Sequence, residues 1–262
     1  MLKHILVAHD LSPEADLALR RGALLAREQG ARLTLLHVAA TAEAADAACV
    51  RMRERLDACG ASGAQVRACH GQAVAMLLHQ ARGLEADLLV LGTHHRRSPE
   101  GFAGTTLERL LHDSPAPVLL VAGHDPAPWR SALAALDFSP CASRALQLAR
   151  SLLGAGAQLH ALHVHEVAAI HAGEDPADLA FQNELFERLL GEQQALLDDG
   201  VQLSHELRQG ERLSCLQAVL AERRPQLLAL GAHSRSQLAD TLLGSLTLEC
   251  LRQPPCDVLV VR

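Results

Sequence analysis

The chain repeats itself. Ile5-Leu-Val-Ala-His-Asp10-Leu-Ser12-Pro13 returns as Ala132-Leu-Ala-Ala-Leu-Asp137-Phe-Ser139-Pro140, and Leu35-Leu36-His37-Val38 returns as Ala161-Leu162-His163-Val164. Asp87-Leu-Leu-Val-Leu-Gly92-Thr-His94 is matched by Gln226-Leu-Leu-Ala-Leu-Gly231-Ala-His233, and Pro117-Val-Leu-Leu-Val121 by Asp257-Val-Leu-Val-Val261. Four anchors in one order mean duplication and fusion, so whatever one half folds into, the other does too. A length of 262 residues suits two such units. The Pro- and Gly-bearing stretch Ala122–Pro128 separates them, which places one domain at 1–123 and the other at 127–262.

Within each half, short apolar runs alternate with helix-length segments, the pattern of strand–helix–strand units on a parallel sheet. The first half reads as strands near 3–9, 32–38, 65–69, 87–91 and 117–121, with helices near 13–29, 43–59, 73–83 and 104–112. Leu88-Leu89-Val90-Leu91 does not alternate in polarity, as a central strand covered on both faces should not. Ser12-Pro13 and Ser139-Pro140 each place a hydroxyl at a helix N-cap and proline at the first helical position. The longer segment 174–198 reads as mostly helix. The fold class is therefore α/β: two tandem open, mostly parallel five-stranded sheets flanked by helices. Val118–Val121 and Val258–Val261 are apolar edges without charges, and they are expected to cover one another.

Composition narrows the function. A formal charge of −6 with no basic run speaks against nucleic acid as a partner. No apolar run approaches the roughly 20 residues of a membrane-spanning helix. Seven cysteines without a CxxC pair suit reduced thiols, and a start of Met1-Leu-Lys-His followed by a short apolar run reads as a strand; both point to a cytoplasmic location.

Open α/β sheets bind ligands outside the carboxyl ends of their strands, where strand order reverses. There the two halves carry Asp10, Val38 and Gly92, then Asp137, Val164 and Gly231. Beyond the fourth strand a glycine and a hydroxyl open a helix, Gly104-Thr105 in the first half and Gly244-Ser245 in the second. Free amides at a helix start, next to a glycine that admits close approach, make an anion site, with phosphate the obvious anion.

These motifs resemble the universal stress protein family, in its tandem form, whose ATP-binding members carry Gly, two residues, Gly, nine residues, then Gly-Ser/Thr. The resemblance implies a Rossmann-like nucleotide-binding fold and an intramolecular pseudo-dimer. It also implies an adenine nucleotide, ATP with Mg, as ligand. By that resemblance Asp137 and the backbone at Val164 contact adenine, while Gly231, Ser234, Gly244 and Ser245 surround ribose and phosphates. The corresponding first set is Asp10, Val38, Gly92, His95, Gly104 and Thr105. Both loops depart from the pattern: Ser234 stands at the second glycine but keeps nine residues before Gly244, whereas His95 stands there in the first half with only eight before Gly104. The second half is the expected nucleotide site.

Lys3 is the only lysine and no GxxxxGK[ST] loop is present, so phosphate charge would fall to Arg96, Arg97 or Arg235. No catalytic residue is assigned; binding is expected with little or no catalysis, against the alternatives of a slow ATPase or of an interaction module with vestigial clefts. Protein partners and further homo-oligomerisation stay open. His160, His163, His165 and His171 crowd together, but His163 matches His37 across the repeat. A structural role is therefore expected, with no metal site; the alternative is zinc held by His163 and His165 with His171 or Glu166.

Overall fold

Ile5, Leu6 and Val7 have no exposed surface, and neither do Leu88, Leu89 and Val90, so the unalternating runs are strands with helices on both faces. The computed structural model describes residues 2–93, 106–123, 127–166, 176–195, 200–232 and 243–262. In chain order the first repeat gives β1 (His4–Ala8), α1 (Ala15–Gln29), β2 (Arg32–Ala39), α2 (Ala42–Ala58), β3 (Gln65–His70), α3 (Ala73–Gly83), β4 (Leu88–Gly92), α4 (Thr106–Asp113) and β5 (Val118–Val121). The second gives β6 (Ser131–Leu136), α5 (Pro140–Ser151), β7 (Gln158–His165), α6 (Pro176–Ala195), β8 (Gln202–Gln209), α7 (Arg212–Arg223), β9 (Leu227–Gly231), α8 (Ser245–Arg252) and β10 (Asp257–Val261).

Backbone contacts group Met1–Ala127 with Leu248–Val260 as one compact unit, and Pro128–Thr247 with Val261–Arg262 as another. In the first, β1 runs parallel to β2 and β4, β2 to β3, and β4 to β5. In the second, β6 runs parallel to β7 and β9, and β7 to β8. Strand order thus reverses beside β1 in one unit and beside β6 in the other, and a crevice opens at the carboxyl end of each. The apolar edge of β5 is covered antiparallel by β10, with Leu119 opposite Leu259. That is the mutual cover expected of two uncharged final strands.

One helix start differs from expectation. Ser139 caps α5 as read, its hydroxyl accepting from the Ala142 amide at 3.1 Å with Pro140 in the first turn. In the first repeat the amides of Asp16 and Leu17 donate to the carbonyls of Pro13 and Glu14, three residues back. This tighter turn delays α1 to Ala15, although Ser12 Oγ still accepts the Ala15 amide at 3.2 Å.

The first unit buries an ion pair. Arg21 Nε lies 3.2 Å from Asp257 Oδ2, with both side chains out of solvent. Asp257 Oδ1 also accepts the amides of Ala122 and Gly123, and Arg21 Nη1 donates to the Ala127 carbonyl. Removing one partner of such a pair leaves a buried charge uncompensated. Asp257→Ala is therefore expected to cost about 3–5 kcal/mol, measured by urea denaturation; a loss below about 1 kcal/mol would show that water reaches Arg21.

Candidate functional site

The second unit holds a cleft of about 200 Å³ at the carboxyl ends of β6, β7 and β9. Asp137, Val164, Gly231, Gly244 and Ser245 all line it. The fold thus brings five residues of the second set together, and Ser234 lies outside the described residues. Asp10, Val38 and Gly92 line the matching cleft of the first unit, about 110 Å³ in volume. His95, Gly104 and Thr105 lie outside the described residues, as do Arg96, Arg97 and Arg235. A larger groove of about 730 Å³ lies at the amino ends of β2 and β3 and contains none of these residues.

A shared local device shapes both clefts. Asp137 Oδ1 accepts the Ser139 amide at 3.0 Å, and Asp10 Oδ1 accepts both the amide and the hydroxyl of Ser12. These are Asx turns, and they hold the intervening residue left-handed: Phe138 at φ 61° and Leu11 at φ 68°. The histidine of the second strand braces the turn. His163 Nδ1 donates to the Leu136 carbonyl at 2.8 Å, as His37 Nδ1 does to the His9 carbonyl at 2.8 Å. Behind the second cleft, His163 packs on Phe138 with ring centroids 4.3 Å apart, and Phe186 closes the stack. The repeated histidine thus works as a strand-end brace.

The two glycines of the second cleft differ in kind. A Cβ on Gly231 would stand 2.8 Å from the Ala142 amide nitrogen, so Gly231 is needed for α5 to start against the end of β9. Among the described residues a Cβ on Gly244 would meet Thr247 Oγ1 at 3.7 Å and the Ala232 carbonyl at 3.9 Å, which is ordinary contact. Nothing in the described structure requires glycine at 244. Its amide donates to the Ala232 carbonyl, and Ser245, which opens α8, lines the cleft.

One cation of this cleft escaped sequence reasoning. Arg212, at the start of α7, lines the wall. Its Nε and Nη2 both donate to Glu166 Oε2, the first at 2.9 Å. The Glu166 hydrogen bond raises the Arg212 pKa, and Asp137 and Glu211 add to it against burial, so the group stays charged. The signal was present in Gly210-Glu211-Arg212 directly after β8: a helix start at the carboxyl end of the sheet, with Glu211 as its cap.

Among the described residues no group of three or more His, Cys, Asp and Glu side chains is placed to hold a metal ion. His160 Nδ1 meets Ser204 Oγ at 2.9 Å, and its Nε2 lies 3.3 Å from Glu206. His171 lies outside the described residues.

Fold and cleft define a tandem of Rossmann-like α/β units, each with a cleft at its strand ends. A profile of the Universal stress protein family matches residues 1–122 and again 128–262, and the chain belongs to that family. A universal stress protein from Archaeoglobus fulgidus DSM 4304 is similar over 99% of this chain and 98% of its own, at 20% identity and a TM-score of 0.69. A Pseudomonas aeruginosa UCBPP-PA14 protein provisionally named to the same family covers 99% of this chain and 93% of its own, at 19% identity and a TM-score of 0.72. These two likenesses carry the fold alone. A Haemophilus ducreyi universal stress protein A homolog is 60% identical over 38 residues, which is 14% of this chain and 27% of that relative.

Two outcomes follow. Gly231→Ala should cost about 1–3 kcal/mol by overpacking, and Gly244→Ala at most the roughly 0.5–1 kcal/mol of N-cap preference; a reversed order in denaturation midpoints would contradict the distinct roles. Burial lowers the pKa of His9, His160 and His163 below the ordinary value of 6.5. The unfolded chain then binds more protons than the folded one as pH falls through that value, so stability is full above it and drops below it. Denaturation midpoints that fail to fall between pH 7.5 and pH 5.5 would contradict this burial.

Proposed function

We propose that the second cleft binds an adenine nucleotide, ATP in its full form, and that the protein senses this ligand rather than turning it over. Gly244 carries the reading. Packing explains Gly231 and leaves Gly244 unexplained, whereas a phosphate drawn to the first turn of α8 accounts for a residue without a side chain. Ser245 adds a hydroxyl at the same place, and Leu136, Leu162 and Leu230 give the cleft apolar walls for a flat base.

The first cleft is proposed as vestigial. It has about half the volume, and Ala73 stands in its wall where Arg212 stands in the second. The closeness of the two scaffolds supports copying of the frame without its ligand contacts. The chain should then bind one nucleotide. Titration calorimetry of the full chain is expected to give one ATP site, and Gly244→Asp should weaken it about a hundredfold or more by setting bulk and negative charge against the phosphates. Unchanged affinity in Gly244→Asp would remove this site.

A further inference from the structure

We infer that the first unit carries a proton-operated turn: an added proton on His9 breaks the hydrogen bond that closes the backbone at Leu11, and the rim of the first cleft opens. The device lies outside the nucleotide site proposed for the second unit and does not depend on it.

Hydrogen bonds fix which ring nitrogen of His9 carries the proton. The Leu11 amide donates to Nδ1 at 2.9 Å, and an amide N–H can only donate, so Nδ1 is bare. Nε2 lies 3.0 Å from Asp16 Oδ1 and donates to it. The imidazole is thus held neutral, in one tautomer, with its side chain out of solvent. A further proton has only Nδ1 to occupy. There it would face the Leu11 N–H donor against donor, and both would be left without an acceptor.

What yields is decided by how each residue is held. The backbone of His9 stays tied to the neighbouring strand, its amide donating to the Leu36 carbonyl and its carbonyl accepting from His37 Nδ1. Leu11 is held less well. Its φ of 68° is left-handed, a conformation that a leucine keeps only while its surroundings impose it. The His9 ring holds its amide, and Arg55 Nη2 donates to its carbonyl at 2.8 Å. Loss of the first contact releases the turn. Because His9, Asp10 and Ser12 line the first cleft, the rim changes with it.

The charges that face the ring set where the switch sits. Burial is the largest influence and opposes the added proton, as does Arg55 of α2, which also pairs with Asp16. Asp16 of α1 and the adjacent Asp10 favour it. The balance holds His9 below its ordinary value of 6.5, whereas a ring released to solvent titrates near that value. His37 of β2 meets the His9 carbonyl. Opening therefore takes up a proton, and the open form gains as pH falls below 6.5. The second repeat has the same Asx turn and a left-handed Phe138, but Leu136 stands where His9 does, so its turn has no such trigger.

The test follows amide hydrogen exchange by NMR in the full chain at pH 7.5 and pH 5.5, each rate divided by its intrinsic value at that pH. One proton taken up per opening should lower protection of the Leu11 and Ser12 amides several-fold, up to about tenfold, while the matching Ser139 amide changes by less than about twofold. His9→Asn keeps an acceptor near the place of Nδ1 and does not titrate in this range. Its Leu11 and Ser12 protection should be equal at the two pH values. Should His9→Asn fold poorly, the wild-type contrast with Ser139 decides alone. Leu11 and Ser12 protection that does not change with pH would overturn the inference, as would a fall of the same size in His9→Asn or at Ser139, which general loosening of the chain would produce.

Discussion

An added Cβ at Gly231 would stand 2.8 Å from the Ala142 amide, and one at Gly92 would stand 3.4 Å from Ala15 Cα. This close seating of the first helix on the end of the fourth strand shapes everything around each cleft. With the helix start so near the sheet, the chain has little room to reverse: residues 137–139 between β6 and α5, and residues 9–14 between β1 and α1. An Asx turn closes that space, a left-handed Phe138 or Leu11 absorbs the bend, and a histidine from the neighbouring strand ties off the last carbonyl. Left-handed backbone at large residues is costly on its own, and the stack of Phe138 on His163 and Phe186 compensates for it in the second unit.

The same frame is built twice, and the differences lie in what lines the clefts. Arg212 and Leu216 of the second cleft correspond to Ala73 and Leu77 of the first. The scaffold positions keep their chemistry: Asp10 and Asp137, His37 and His163, Gly92 and Gly231. Duplication preserved the residues that make the turn, and the cleft wall diverged.

Most of the fold was legible because period and repetition are local. The five strands of the first half and their counterparts in four matched anchors of the second could be read from the chain. The Asp-x-Ser-Pro tetrads placed the first helices, with α1 starting two residues later than read. What escaped needed through-space information. Asp257 and Arg21 lie far apart in the chain, and nothing in either neighbourhood announces a buried pair. Gly231 and Gly244 looked alike as letters; only the position of the α5 backbone separates a packing glycine from one that packing leaves unexplained. The sequence points to Arg96, Arg97 and Arg235 because they follow the fourth strand, where the phosphate motif lies. The wall of the cleft is also built by the helix that follows the strand at the sheet's far edge.

A crystal structure of the full chain grown with ATP tests the central claim most directly, because it locates the ligand without altering any residue. The account predicts one nucleotide per chain, its base between Asp137 and Val164 and its phosphates at the Gly244–Ser245 start of α8, with the first cleft vacant. Density for nucleotide in the first cleft alone, or in the groove at the amino ends of β2 and β3, would contradict it.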